Sequence, residues 1–339
     1  MSWKSVIYRY ADERSRMEID YRLDRLAAVV RDDQYLDRLA GQLERLRAVR
    51  LERGWRAIRH EIRVRVKESG DGVRTDEAAV QLELHHRFRY ESRSREQLEE
   101  WIEHERVVLA KAPGGWYIDR IEQPEAAPVW PDVVIEEGPG LIRQQGEGVR
   151  AAQARRPLLS RDVFGQEELR AGTHYNRTQV AAYADAHWND PNPAFLHFEV
   201  DCTNYVSQCV FAGGAPMNYT GRRERGWWYR GRSGAQELWS FSWAVANGLT
   251  QYLASSRSGL QAESVKSARQ LTIGDVICYD WDGTGRFGHT TIVTAISADG
   301  YPLVNAHTNN SRHRYWDYRD SYAWTERTVY RFYHILDRL

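Results

Sequence analysis

Apolar residues at Ile19, Leu23, Leu26 and Val30, then at Leu36, Leu39, Leu43, Leu46 and Val49, recur at steps of three and four. That spacing lays one hydrophobic stripe along a helix, so residues 18–53 are expected to form one long helix or two shorter ones. From Ile58 the period changes to two. Ile58, Ile62, Val64 and Val66 alternate with Arg59, Glu61, Arg63, Arg65 and Lys67, the mark of a half-buried strand. After the turn-rich stretch 69–77, Val80, Leu82, Leu84, Phe88 and Tyr90 alternate in the same way, and a third run over 105–122 breaks at Pro113-Gly114-Gly115 as a hairpin would. Residues 123–172 lose the periodicity and carry prolines, the Gly-Pro-Gly of 138–140 and an arginine-rich polar stretch, a composition suited to a linker. The expected fold class is α+β, organised as an accessory domain at 1–122 (helix, then antiparallel sheet), a linker at 123–172 and a second domain at 173–339.

The second half carries the candidate chemistry. Asp201 is a strong helix-start residue and Gly213-Gly214 a helix stop, so Cys202 opens a short helix on which Val206, Cys209 and Val210 share its inward face. A thiol at a helix N-terminus feels the positive end of the macrodipole, which favours the attacking thiolate. Asp201 partly opposes this, so a histidine partner is needed to complete the activation. Cys209 and Cys278 sit inside apolar patterns and read as core residues.

Residues 289–297 and 301–308 read as a β-hairpin around Ala298-Asp299-Gly300. A three-residue loop with Gly300 left-handed pairs Ser297 with Tyr301, and regular pairing then sets Thr291 opposite His307. His307 becomes a diagonal neighbour of His289 on one face, about 7–8 Å away between backbones. Asn305 would pair with Val293, about 13 Å along the strand from His289, so His307 is favoured as the orienting residue. Cys202 as nucleophile, His289 as base and His307 as orienter form the set that acyl transfer through a thioester requires. Asp201, Asn204, Trp243 and Asn305 are the expected supporting or substrate-binding residues, and the Cys202 backbone N–H is the expected oxyanion donor.

At these residues the chain resembles the Putative amidase domain family, related to NlpC-type and CHAP cysteine peptidases with the papain-like fold. The likeness runs from Tyr175-Asn-Arg through Ala181-Ala-Tyr-Ala and Trp188-Asn-Asp-Pro-Asn-Pro to Asp201-Cys-Thr-Asn-Tyr-Val-Ser-Gln-Cys and Ala212-Gly-Gly-Ala-Pro-Met. It resumes at Ser242-Trp243, Gly274-Asp-Val-Ile, Gly288-His-Thr-Thr-Ile-Val and Ala306-His-Thr, covering roughly 173–338. The resemblance implies a papain-like domain with its nucleophile helix on an antiparallel sheet, Cys202 and His289 as the catalytic pair, and a bacterial peptidase or amidase acting on peptidoglycan peptides or similar amides. The first 122 residues resemble, through weaker motifs, small cystatin-like or NTF2-like α+β domains.

Composition narrows the field. Lys and Arg total 47 and balance 47 Asp and Glu, so whole-chain charge gives no reason to expect nucleic acid as a partner. Three cysteines are too few and too unevenly placed for a disulfide framework or a zinc site, and no metal or cofactor is expected. His60, His85, His86 and His104 lack convergent ligand spacing. The fragment Asp280-Trp-Asp-Gly-Thr-Gly has calcium-loop character but no distal Glu, and reads as a hairpin turn. No stretch approaches the roughly 20 apolar residues of a membrane span, and the N-terminus lacks the apolar core of a signal peptide. The expected setting is cytoplasmic, unless the protein reaches the wall by a route the sequence does not display. Of the 13 tryptophans, Trp227, Trp228, Trp239, Trp243, Trp316 and Trp324 lie near the motifs, where they serve as packing or as cleft walls. Two other readings use the same residues: a cleft that binds peptides or a protein partner without turnover, and an acyltransferase that delivers to an amine instead of water.

Overall fold

The computed structural model describes residues 2–73, 76–122, 174–233 and 236–339, so the expected linker at 123–172 lies outside the described residues. The chain divides into two compact units, the first taking in the chain up to residue 126 together with Asp317–Trp324, the second the remainder. Both are α+β, and none of the described helices is long and apolar enough to cross a membrane.

In the first unit, helices α1 (Trp3–Asp20), α2 (Asp24–Ala27) and α3 (Asp33–Glu52) precede an antiparallel meander of β1 (Arg56–Val73), β2 (Glu77–Ser92), β3 (Arg95–Ala112) and β4 (Gly115–Glu122). The expected helical stripe is realised over α3, where Leu39, Leu43, Leu46 and Val49 are buried. On β2 the even positions Val80, Leu82, Leu84, Phe88 and Tyr90 are all buried, joined by His86. Ile58 departs from its expected place. A β-bulge between Ala57 and Arg59 leaves it unpaired, and it is 43% exposed. α1 extends well before residue 18, capped by the Ser2 side chain; its buried face includes Glu13, Arg14 and Glu18, which interrupt the apolar stripe. The Arg14 guanidinium lies 2.9 Å from Glu103 and 3.0 Å from Glu105, so its burial is compensated by two carboxylates. His60 and His86 are packed histidines, with Nε2 and Nδ1 3.2 Å apart and both rings stacked on Trp101.

The second unit contains α4 (Arg177–His187), α5 (Cys202–Ala212), the hairpin of β5 (Tyr229–Ser233) and β6 (Gln236–Trp239), α6 (Phe241–Ala244), α7 (Ala246–Ser255) and strands β7 (Ala262–Val265), β8 (Val276–Asp280), β9 (His289–Ile296), β10 (Pro302–Ala306), β11 (Ser311–Tyr315) and β12 (Val329–Ile335). Within this unit the strands pair antiparallel in the order β11-β10-β9-β8-β12-β7. Every residue of α5 from Cys202 to Phe211 is buried, not only the expected face of Cys202, Val206, Cys209 and Val210; the buried polar side chains include Asn204 and Ser207, which are hydrogen-bonded. It is enclosed by a core that includes Tyr175, Val180, Trp227, Trp243, Cys278 and Ile292. The helix stop needs both glycines: a Cβ at Gly213 would meet Val180 at 2.3 Å, and Gly214 adopts φ 98°. Trp227, Trp228, Trp239 and Trp243 are at most 2% exposed, so these four are packing residues and not cleft walls. The Asp280 fragment is a turn whose carboxylate accepts the Thr284 and Gly285 backbone N–H groups at 3.2 and 2.7 Å.

Candidate active site

Cys202 is the first residue of α5 and is 2% exposed. Its sulfur lies 3.7 Å from the Thr203 hydroxyl. Burial raises its pKa, while hydrogen bonds from the Thr290 backbone N–H and from the Thr203 and Thr290 hydroxyls oppose the rise. The resting group is therefore a thiol. Burial also pushes Cys278 up to about 12 and Cys209 well above the ordinary thiol value, so Cys202 is the least disfavoured of the three as thiolate.

His289 opens β9 opposite Tyr279 of β8. The next residue, Thr290, turns toward α5 and donates to the Thr203 hydroxyl at 3.1 Å. Alternation along the strand therefore directs His289 to the other face of the sheet. There its ring stacks on Trp281 at 5.8 Å and lies 5.5 Å from Tyr279. Burial, helped by the Arg314 charge, pushes its pKa down to about 3. A histidine held neutral in the native state contributes stability above its unfolded pKa near 6.5, and that contribution is lost as pH falls toward the folded value. Urea midpoints measured between pH 7 and pH 4 should therefore fall, and His289→Asn should reduce the slope. His60, whose pKa burial also lowers, leaves a residual dependence, so the difference between the two proteins is the test. Identical slopes would rule out a buried neutral His289.

His307 does not stand beside His289. The loop behaves as expected, with Ser297 N–H bonded to the Tyr301 carbonyl at 2.8 Å, Gly300 at φ 83°, and Pro302–Ile296 and Leu303–Ala295 in the expected register. A bulge at Thr294 then advances β9 by one residue, so Val304 pairs with Val293 and Asn305 with Ile292. A one-residue slip exchanges faces, and His307 arrives on the α5 side. Its ring stacks on Tyr205 at 3.9 Å, its Nδ1 lies 2.7 Å from Asp201 Oδ2, and its Nε2 lies 2.7 Å from the His187 carbonyl oxygen.

Asp201 occupies the N-cap position of α5, yet its side chain makes no cap hydrogen bond. Oδ1 accepts the Phe198 N–H at 3.0 Å and Asn204 Nδ2 at 2.8 Å, leaving Oδ2 to His307 and, at 3.4 Å, to His197 Nδ1. Burial alone would raise the carboxyl pKa; the close approach of the His197 and His307 rings outweighs it and holds the group ionised. Asn204 also donates to the Leu196 carbonyl at 2.8 Å and accepts from the Trp243 indole at 2.9 Å. Trp243 is fully buried, so it orients Asn204 and is closed to substrate. Asn305 joins a separate cluster, donating to Asp185 at 2.9 Å and accepting from Thr294 and from the His313 backbone N–H.

The structure thus gathers Asp201, Asn204, Trp243 and His307 into one network next to Cys202 in the chain, and holds the His289 ring on the opposite face. Sequence reasoning missed His197 and Asp185. His197 lies in an irregular segment where no periodicity flags it. Asp185 is identified only by its convergence on Arg312, His313 and Asn305, whose hydrogen bonds overcome burial and hold its carboxyl far below the usual range.

Comparison with known proteins bears on the same stretch. Residues 174–333 match the family described as "Putative amidase domain". The amidase-domain match takes in Asp201, Cys202, His289 and His307 and points to amide hydrolysis. "Uncharacterized protein YhbB" of Bacillus subtilis (strain 168) is 48% identical over 177 residues, which are 52% of this chain and 54% of that protein. The chain therefore spans about half the length of that relative. The solved intermembrane space region of chloroplast protein ARC6 is 15% identical, covers 36% of this chain and 96% of its own, and has a TM-score of 0.24, too low to bear on fold or function.

Proposed function

We propose that the amidase-domain unit is a cysteine-dependent amidohydrolase with Cys202 as nucleophile and His289 as general base, acting on a peptide amide such as those of peptidoglycan. The observation that carries this reading is the seat of the thiol: Cys202 opens α5 with its sulfur 3.7 Å from the Thr203 hydroxyl, which in turn accepts from Thr290, the residue that follows His289. Thiolate formed there gains from the helix N-terminus and from the neighbouring Thr203 hydroxyl. In the resting structure the His289 ring is stacked on Trp281, so catalysis requires the start of β9, just after Gly288, to rearrange when substrate binds. The working sequence is attack of the Cys202 sulfur on the amide carbonyl, transfer of the thiol proton by His289 to the leaving amine, and hydrolysis of the thioester by water. His307, expected to orient His289, is reassigned to positioning: through Asp201 it fixes the first turn of α5 and hence Cys202.

The test is alkylation. Iodoacetamide should modify Cys202 faster than Cys209 or Cys278, and one equivalent should abolish hydrolysis of muropeptides followed by mass spectrometry. If Cys202 is fully alkylated while muropeptide or acyl-amine turnover continues, the reading fails. Products carried onto added amines instead of water would make the enzyme an acyltransferase. Binding without turnover before alkylation would make it a peptide-binding domain.

A further inference from the structure

The hydrogen-bond roles around His307 leave a positive centre to be supplied. The His187 carbonyl oxygen can only accept, so His307 Nε2, 2.7 Å away, carries a hydrogen and donates it. In a neutral ring the other nitrogen, Nδ1, then bears a lone pair, yet it faces Asp201 Oδ2 at 2.7 Å. That carboxylate oxygen is also 3.4 Å from His197 Nδ1, while Oδ1 is occupied by Phe198 and Asn204. Three donor atoms, two imidazole nitrogens and one carboxylate oxygen, thus converge within 4.8 Å of one another.

We propose that His197 Nδ1, Asp201 Oδ2 and His307 Nδ1 bind a zinc-class divalent metal ion. Tetrahedral ligand bonds of about 2.0–2.2 Å place neighbouring donor atoms roughly 3.4 Å apart; the His197–Asp201 separation of 3.4 Å matches that value, and the His307–Asp201 separation of 2.7 Å has to widen when the ion enters. The outer contacts are those of a metal site: the far N–H of His307 donates to a backbone carbonyl, and the far oxygen of Asp201 is held by two donors. Imidazole with one carboxylate suits zinc, cobalt or nickel and not the all-oxygen preference of calcium or magnesium. Asp201 and His307 are buried, whereas the His197 side chain is 46% exposed, so the ion enters from solvent and keeps a coordination position open to water or an anionic ligand. This site uses neither Cys202 nor His289 as a ligand, although Asp201 and His307 also hold the start of α5 beside the thiol.

The experiment is a Co2+ titration of the full chain after chelator treatment, read by visible d–d absorption. One equivalent should bind and be displaced by Zn2+. His197→Ala, which removes a half-exposed side chain, should weaken binding at least about 100-fold, and His307→Gln should do the same if it folds. Cys202→Ala should bind as the unaltered protein does. Co2+ binding unchanged by His197→Ala, or no visible band at all, would overturn the proposal. In the second case, nitrogen NMR showing both His307 nitrogens protonated at neutral pH would identify the positive centre as an imidazolium paired with Asp201.

Discussion

Cys202→Ala protein is expected to fold normally and to lose amide hydrolysis by about 10⁴-fold or more, because removing the nucleophile leaves only binding and oxyanion stabilisation to accelerate the reaction. The substitution removes one sulfur from a site bounded by Thr203 and Thr290, so the cost in stability is small beside the loss of rate. His289→Ala should lower kcat comparably with little change in KM, since the ring acts on the proton and not on substrate affinity. Initial rates on purified muropeptides, with circular dichroism as the folding control, decide the matter. Activity surviving in both variants would remove the thiol mechanism. Activity lost in Cys202→Ala alone would transfer the base role elsewhere, and the Asp201–His307 pair would be the next candidate.

Asp201→Ala should destabilise the second unit by about 3–5 kcal/mol, seen as a lower urea midpoint. The carboxylate is 2% exposed and gathers the Phe198 N–H, Asn204, His307 and His197 around two oxygens. Its removal leaves the Phe198 N–H and one Asn204 amide hydrogen without their acceptor and the buried His307 ring without its partner, which costs more than the bonds themselves contributed. Asp201→Asn keeps one acceptor oxygen for Phe198 and Asn204 and should lose distinctly less. Equal midpoints for the unaltered and Ala proteins would mean that the network does not hold the start of α5.

Several of these features are legible in the sequence because local rules and burial agree there. The even positions of β2, the Asp201 start and Gly-Gly stop of α5, and the three-residue loop at 298–300 each follow from one local pattern. What escaped is where tertiary contacts override the pattern. α1 hides because Glu13, Arg14 and Glu18 sit on its buried face, Arg14 and Glu18 finding charged partners on other elements. The β2–β3 turn carries left-handed Arg93 and Ser94, at φ 48° and 62°, where the usual Asn-Gly signal is missing. The bulge at Thr294 has no such marker, and it alone separates the face reached by His307 from the face occupied by His289. Asp201 looked like a cap because Asp suits that position; its carboxylate instead serves the histidines, a choice visible only once 187, 197 and 307 are close in space.

The Asp201–His307 pair lies where two helices present opposite electrical ends. His307 donates to the terminal carbonyl of α4, the negative end, while Asp201 precedes the first N–H groups of α5, the positive end. Burial chiefly raises the Cys202 pKa and the carboxylate adds to the rise, muting the attraction α5 would otherwise exert on a sulfur anion. On the proposed reading, a positive charge bound between the two imidazoles would offset the Asp201 carboxylate and return part of that attraction to the sulfur.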